Sequence, residues 1–280
     1  MDYRYKFIVF RVLSMLPNRI GDLVYNTLQA FLGSLNGKRS LRATRGTLKD
    51  FNEILQKEEN VKISGVIEMG SGWYPSLPYI LTLEKGVNKV FTFDKNLFYN
   101  SKRIQEINDL FNLKKGGQLI DQVDYFPKKD LINCDLPKDG NLFISRFVLE
   151  HVPPSIIERV HKNLIEKTEE HYVLHYISPG DHRAYSDHSL GLQDFLQFSE
   201  KQWERNFTRF DYHNRMRLPE YRKLFKDLGY HTIYESFELP GDKHVEKFKA
   251  MKLDDRFKGF SDEENLAGSI IIFLKYKNGK

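Results

Sequence analysis

The sequence predicts an α/β fold, a mostly parallel sheet with helices on both faces. Three observations predict it. Short apolar runs alternate with amphipathic helical stretches between about residues 61 and 177. The first run, Gly65-Val66-Ile67-Glu68-Met69, leads into Gly70-Ser71-Gly72, as a strand does when it bends sharply into a helix. The last two runs, 231–239 and 269–276, have no clear crossover helix between them, which predicts an antiparallel pair.

Taken in order, residues 1–60 read as an N-terminal helical extension and 61–280 as the main domain. In the extension, Leu23, Leu28, Phe31 and Leu32 recur at helical spacing, as do Leu48, Phe51, Ile54 and Leu55. Residues 33–39 between them read as a loop. Lys38, Arg39, Arg42 and Arg45 form a basic cluster beside it, either solvated surface or an anion contact. Strands are expected at 65–69, 89–93, 118–126, 141–145, 172–177, 231–239 and 269–276, which makes seven. Helices are expected after the glycine turn, over 97–112, over 155–168 and over 219–228, the last stopped by Gly229. The charged piece 240–267 reads as a surface insertion.

Composition bounds the function. A chain of 280 residues can bury a sizeable core without staples. Cys134 is the single cysteine, which rules out an internal disulfide and a cysteine zinc cluster and favours a reducing, cytoplasmic setting. A net charge of +5 with no concentrated basic stripe gives no reason to expect a nucleic-acid partner. The apolar run 7–16 is about half the ~20 residues that span a bilayer, and Arg11 interrupts it. No small-residue cleavage site follows it. A helix docked on the domain is expected. A peripheral membrane contact is the alternative, because Arg4, Lys6, Arg11 and Arg19 flank the apolar residues.

The glycine turn carries the functional signal. Glycine tolerates positive φ and lets a ligand come close, and the turn sits at the carboxyl end of the first strand, where such sheets hold ligands. Asp94 ends the second strand twenty-two positions after Gly72, where a carboxylate accepts hydrogen bonds from both hydroxyls of a ribose. Together they predict a nucleoside-containing ligand. Pro75 occupies the place where a dinucleotide fingerprint wants a third small residue, and Glu68 is a poor neighbour for a pyrophosphate. Glu68 suits a cationic ligand instead. S-adenosylmethionine, with an ammonium, a sulfonium and no phosphate, meets that requirement.

These residues resemble a family. Glu68-Met69-Gly70-Ser71-Gly72, Asp94 and Ser145-Arg146-Phe147-Val148-Leu149-Glu150-His151-Val152 are similar to class I S-adenosylmethionine-dependent methyltransferases over about 61–276. The likeness departs at Tyr74, where many members have a third glycine, and at Asn141, where many have an acid. It implies a Rossmann-like seven-stranded sheet with an antiparallel last strand. It implies that Glu68, Gly70 and Gly72 hold the methionine part and Asp94 the ribose, with Ser71 and Ser145 among the cofactor contacts. An adenine contact is expected after the third strand, from Asp130 with Asp135 as competitor. Gly180-Asp181-His182, the segment 194–199 and Tyr212-His213-Asn214-Arg215-Met216-Arg217 further resemble bacterial methyltransferases of surface-polysaccharide and small-molecule biosynthesis.

Methyl transfer from an activated sulfonium needs position and a dry site more than a nucleophilic residue. An alcohol acceptor profits from a general base. His182 is the first candidate, with Asp181 beside it and His151 at the start of the family-like helix. The alternative for His151 is a cap or core role, and for His175 a satisfied buried side chain. Arg215 and Arg217, with Asn214, are candidates to grip an anionic small-molecule or glycan acceptor, or else to form an internal salt bridge. Trp203 and Phe207 read as core. His175, Asp181, His182, Asp187 and His188 have metal-binding side chains but no rigid ligand spacing, so no metal is expected. A nicotinamide-dependent oxidoreductase and a non-catalytic binding module are the competing readings.

Overall fold

The structure is a computed structural model, and it describes residues 3–17, 20, 21, 24, 25, 27 and 36–278. The expected helical face of Leu23, Leu28, Phe31 and Leu32 lies outside the described residues, as do Arg19 and the side chains of Arg4 and Lys6. Helix α1 covers Tyr3–Met15. Phe10 and Leu13 bury one side of it, with Phe10 edge-on to Tyr25 at 5.4 Å. Ile8, Val9, Val12 and Met15 stay exposed.

Helix α2 covers Gly37–Thr47. The loop expected over 33–39 therefore ends early. The Asn36 side chain accepts a hydrogen bond from the Arg39 N–H, which starts the helix one residue before the basic cluster. A short helix, α3 (Phe51–Leu55), follows. Next come β1 (Val66–Met69), α4 (Ser76–Leu83), β2 (Val90–Asp94), α5 (Ser101–Leu110), β3 (Val123–Pro127) and β4 (Leu142–Arg146). After them are α6 (Pro154–Lys167), β5 (Glu170–Ile177), α7 (Glu200–Trp203), α8 (Leu218–Asp227), β6 (His231–Glu238), α9 (Asp242–Lys249), α10 (Asp262–Leu266) and β7 (Gly268–Lys277). Gly229 stops α8 in the left-handed region, φ +85°.

The seven strands form one sheet in the order β3-β2-β1-β4-β5-β7-β6. Pairs among β1 to β5 are parallel, and β7 runs antiparallel to both β5 and β6. This is the Rossmann-like, mostly parallel sheet with an antiparallel last strand that the sequence predicts. Because β1 lies between β2 and β4, the chain reverses its order there, and a crevice opens at the carboxyl ends of those strands.

Each face of the sheet has its own core. On one, Leu41, Leu48, Phe51 and Ile54 pack with Leu77, Ile80, Val66 and Leu142. Helices counted with the N-terminal extension thus share one core with β1 and β4, and α2 packs against α4 and α5. On the other, Ile157, Val160, Leu164, Tyr221 and Phe225 of α6 and α8 cover Ile67, Phe143 and Val173. A smaller core joins Phe195, Leu196 and Trp203 to Phe248, Phe257 and Leu266. The piece 240–267 is more than a surface insertion, because its sparse apolar residues converge to close this third cluster. Trp203 belongs to it, and Phe207 packs on its edge.

Candidate functional site

A cavity of about 600 Å³ lies over the carboxyl ends of β1, β2 and β4. Parallel register brings Met69 beside Phe93 and Ser145, so the three strand tips are level. Gly70 and Gly72 make the bend after β1, at φ +85° and +64°. A Cβ at Gly70 would lie 2.5 Å from Cγ2 of Val148, so this position needs glycine for space as well as for φ. A Cβ at Gly72 would meet nothing within 4 Å, although the residue borders the cavity.

Glu68 is buried on β1 and lines the cavity. Its Oε2 has no hydrogen-bond partner among the described residues. Burial pushes its pKa up to about 8, against the opposing pull of the neighbouring Thr92 hydroxyl and, less, of Arg146. Asp94 borders the same space. Its Oδ1 accepts from the Asn96 N–H at 2.8 Å and its Oδ2 from the Ser71 hydroxyl at 3.2 Å. Burial raises its pKa as well, and those hydrogen bonds oppose the rise. Tyr99 donates to the Ser71 carbonyl at 3.0 Å and fixes the bend from behind.

Asp130 also borders the cavity, and its carboxylate faces Lys95 at 3.1 Å across the rim. Asp135 does not line it. Its carboxylate stands in solvent beside Lys167. Ser145 does not line it either. It is buried on the opposite face of the sheet from Glu68, its Oγ 2.7 Å from Nδ1 of His175. His175 is the satisfied buried side chain. Its Nε2 meets Nε2 of His161 at 3.2 Å, and burial pushes its pKa down to about 3. From there hydrogen bonds continue to the Tyr230 hydroxyl, His171 and Thr168.

His151 lines the cavity on its far side, with its Nδ1 3.1 Å from the Tyr212 carbonyl oxygen. The rings of His182 and His213 stand 4.8 and 5.7 Å from it, and 4.9 Å from each other. Asp181 does not join them. It is buried against Arg183, at 2.6 Å, and caps the turn that carries His182. Arg215, Arg217 and Asn214 do not reach the cavity. Arg215 donates to the Phe195 and Phe198 carbonyls and pairs with Glu200 at 2.7 Å. Arg217 donates to the carbonyls of Arg215, Asn265 and Pro179. Asn214 donates to those of Leu149 and Val152. These groups are internal fasteners that tie loop and turn carbonyls to the core.

Sequence reasoning missed several residues of the cavity wall. Ser40 and Thr44 reach it from α2, and Trp73 and Phe98 form an aromatic edge, ring centroids 4.7 Å apart. Arg146 lines it too, and Phe147 turns there with φ +56°, unusual for a bulky residue. Trp73 beside the glycine turn was a readable signal, but the others depend on chain path. Glu150, adjacent to His151, was also missed. It is fully buried, and burial pushes its pKa up to about 8.

No protein-family model and no curated protein matches the chain. Solved structures do match. One is magnesium protoporphyrin IX methyltransferase from Synechocystis PCC 6803 with bound S-adenosylhomocysteine, 14% identical over 90% of this chain and 93% of that one, TM-score 0.49. Another is a S-adenosylmethionine-dependent methyltransferase from Methanosarcina mazei, 13% identical over 81% and 97%, TM-score 0.47. A third, an S-adenosylmethionine-dependent methyltransferase from Mesorhizobium loti, is 10% identical over 81% and 97%, TM-score 0.45. At these identities the likeness is one of fold.

Proposed function

We propose that this chain is an S-adenosylmethionine-dependent methyltransferase acting on a small-molecule or glycan acceptor, through oxygen. The observation that carries the reading is the orphaned Oε2 of Glu68, buried in the cavity wall at the tip of β1. A buried carboxylate oxygen without a donor is costly, and an ammonium ligand would satisfy it. Asp94 across the cavity suits a ribose, and the open space over Gly72 suits a close backbone approach. When bound, the cofactor supplies a methyl group already activated by the sulfonium. The chain's part is to hold the two ends with Glu68 and Asp94, exclude water, and offer His151 on the acceptor side, with the His182 ring 4.8 Å from it and outside the cavity lining.

Calorimetric titration with S-adenosylhomocysteine tests the reading. One site per chain is expected, weakened by about 1–3 kcal/mol in Asp94→Ala. Tight NAD binding with no response to S-adenosylhomocysteine overturns it in favour of an oxidoreductase. Cofactor binding without transfer to any acceptor favours a binding module.

The exposed apolar side of α1 supports a peripheral membrane contact as part of the same reading. Among the described residues no helix is long and apolar enough to cross a membrane. Sedimentation with anionic vesicles tests the contact, and Val12→Ser should weaken it.

A further inference from the structure

Glu150, His151 and His182 carry donor atoms that all lie within 4.8 Å of one another. They come from two segments, the turn after β4, where His151 borders the cavity, and the loop after β5, which carries the His182 ring to 4.8 Å from that of His151. Glu150 is fully buried. Its Oε1 accepts from the Ser178 N–H at 3.3 Å, while its Oε2 has no hydrogen-bond partner among the described residues. His213 packs edge-on to both other rings, and its own Nε2 is buried without a hydrogen-bond partner. The orphaned buried Oε2 of Glu150 points to a group that completes it.

We infer that Glu150, His151 and His182 bind one divalent transition-metal ion. One carboxylate oxygen and two imidazole nitrogens suit zinc, iron, cobalt or manganese rather than magnesium or calcium, which favour all-oxygen sets. The tautomer fits. The Tyr212 carbonyl takes the Nδ1 proton of His151, which leaves Nε2 with the lone pair a metal needs. Donors held about 2.1 Å from one ion in a tetrahedral site lie about 3.4 Å apart. Closing on the ion therefore asks each donor to move by about 1 Å, within reach of a side-chain rotation.

Three protein donors among the described residues leave a coordination position open for a further ligand, and His151 itself borders the cavity. The role of that position rests on the methyl-transfer reading, whereas the site itself does not. An acceptor hydroxyl bound there loses its proton to water at a lower pH, because the ion stabilises the alkoxide. The alkoxide oxygen forms the new bond to the methyl carbon. The carbon–sulfur bond breaks and its electron pair returns to sulfur as a neutral thioether.

The test is titration of the metal-stripped full-length protein with cobalt(II), followed by the visible absorption of the bound ion. One ion per chain is expected. His182→Ala and His151→Gln should each weaken binding by more than the roughly 10–100-fold that loss of an outer-shell partner costs. His151 is exposed, so its replacement keeps the test open should the His182 variant fold poorly. No stoichiometric binding, or unchanged affinity in His151→Gln, overturns the site. S-adenosylhomocysteine affinity on the same samples separates the two readings. Cobalt without nucleoside upholds the site and sinks the methyl-transfer role, while nucleoside without cobalt sinks the site alone.

Discussion

His175 and His161 face each other through their Nε2 atoms at 3.2 Å, inside the core between the sheet and α6. One nitrogen must donate and the other accept. The Thr168 hydroxyl decides which, because it donates to the Leu164 carbonyl at 2.8 Å. Thr168 Oγ1 must then accept from Nδ1 of His171 at 2.6 Å, and His171 Nε2 must accept from the Tyr230 hydroxyl at 2.8 Å. Tyr230 accepts in turn from His161 Nδ1 at 2.9 Å, so His161 Nε2 is the acceptor and His175 Nε2 the donor. Ser145 closes the series by donating to His175 Nδ1. Nitrogen-detected NMR should find His161 and His171 protonated at Nδ1 and His175 at Nε2. Any other tautomer breaks the series.

The same series sets an acid limit. Burial pushes His171 down to about 4 and His175 to about 3, and His161 lies well below its usual value. At these three side chains the unfolded chain binds more protons than the folded one below about pH 6.5, so their contribution to stability falls as pH drops from there toward 4, while the raised carboxyls of Glu68 and Glu150 act the other way. For His171 alone the loss is on the order of 3 kcal/mol. NMR titration should find all three imidazoles still largely neutral in the folded protein at pH 5, and one that titrates near its ordinary value of about 6.5 would contradict the assignment.

Glu68 behaves oppositely. Its carboxyl is largely protonated below about pH 8, yet an ammonium ligand needs the carboxylate. Nucleoside affinity should therefore rise about tenfold per pH unit up to about 8 and then level off, with proton release on binding. Glu68→Gln should remove both the slope and the proton release. Calorimetry in buffers of different ionisation enthalpy reads this directly.

The two glycines of the bend should fail differently. Gly70→Ala brings a methyl against Val148 at φ +85°, so its cost should exceed the ~1–2 kcal/mol of the left-handed conformation alone. Gly72→Ala meets no atom, so only about that conformational cost is expected in stability. Its methyl borders the cavity, and nucleoside affinity should fall instead. Paired melting and binding measurements distinguish the two.

Arg217→Met leaves the carbonyls of Arg215, Asn265 and Pro179 without their donor. A destabilisation of about 3 kcal/mol or more is expected, with nucleoside affinity unchanged in the folded fraction. Lysine should not rescue it, since one ammonium cannot reproduce the planar fork. A stable variant with only a raised acceptor KM would return Arg217 to acceptor binding.

What could be read from sequence was local. The bend at Gly70 and Gly72 and the acid at Asp94 are set by strand ends and short-range backbone need, so spacing revealed them. Side-chain direction was not readable. On β4, residues 142–145 are all buried, and such a two-sided strand hides which residues point to which face. Ser145 and Arg146 are neighbours that go to opposite sides, and only Arg146 borders the cavity. Arg215, Arg217 and Asp181 were equally opaque. Most partners of Arg215 and Arg217 are carbonyls far along the chain, whereas Asp181 is taken up by Arg183 only two residues on, a local pairing that its loop position hides. The Glu150–His151–His182 cluster joins residues some thirty positions apart, a distance no motif spans.

Ser40 and Thr44 of α2 border the same hollow as Glu68, and the Ser40 hydroxyl touches that of Ser76 at 2.9 Å. Whatever fills the hollow therefore tightens the chain's early helices along with the strand tips. Amide protons around residues 40–44 should exchange more slowly once a nucleoside arrives, making the front of the polypeptide a reporter of occupancy.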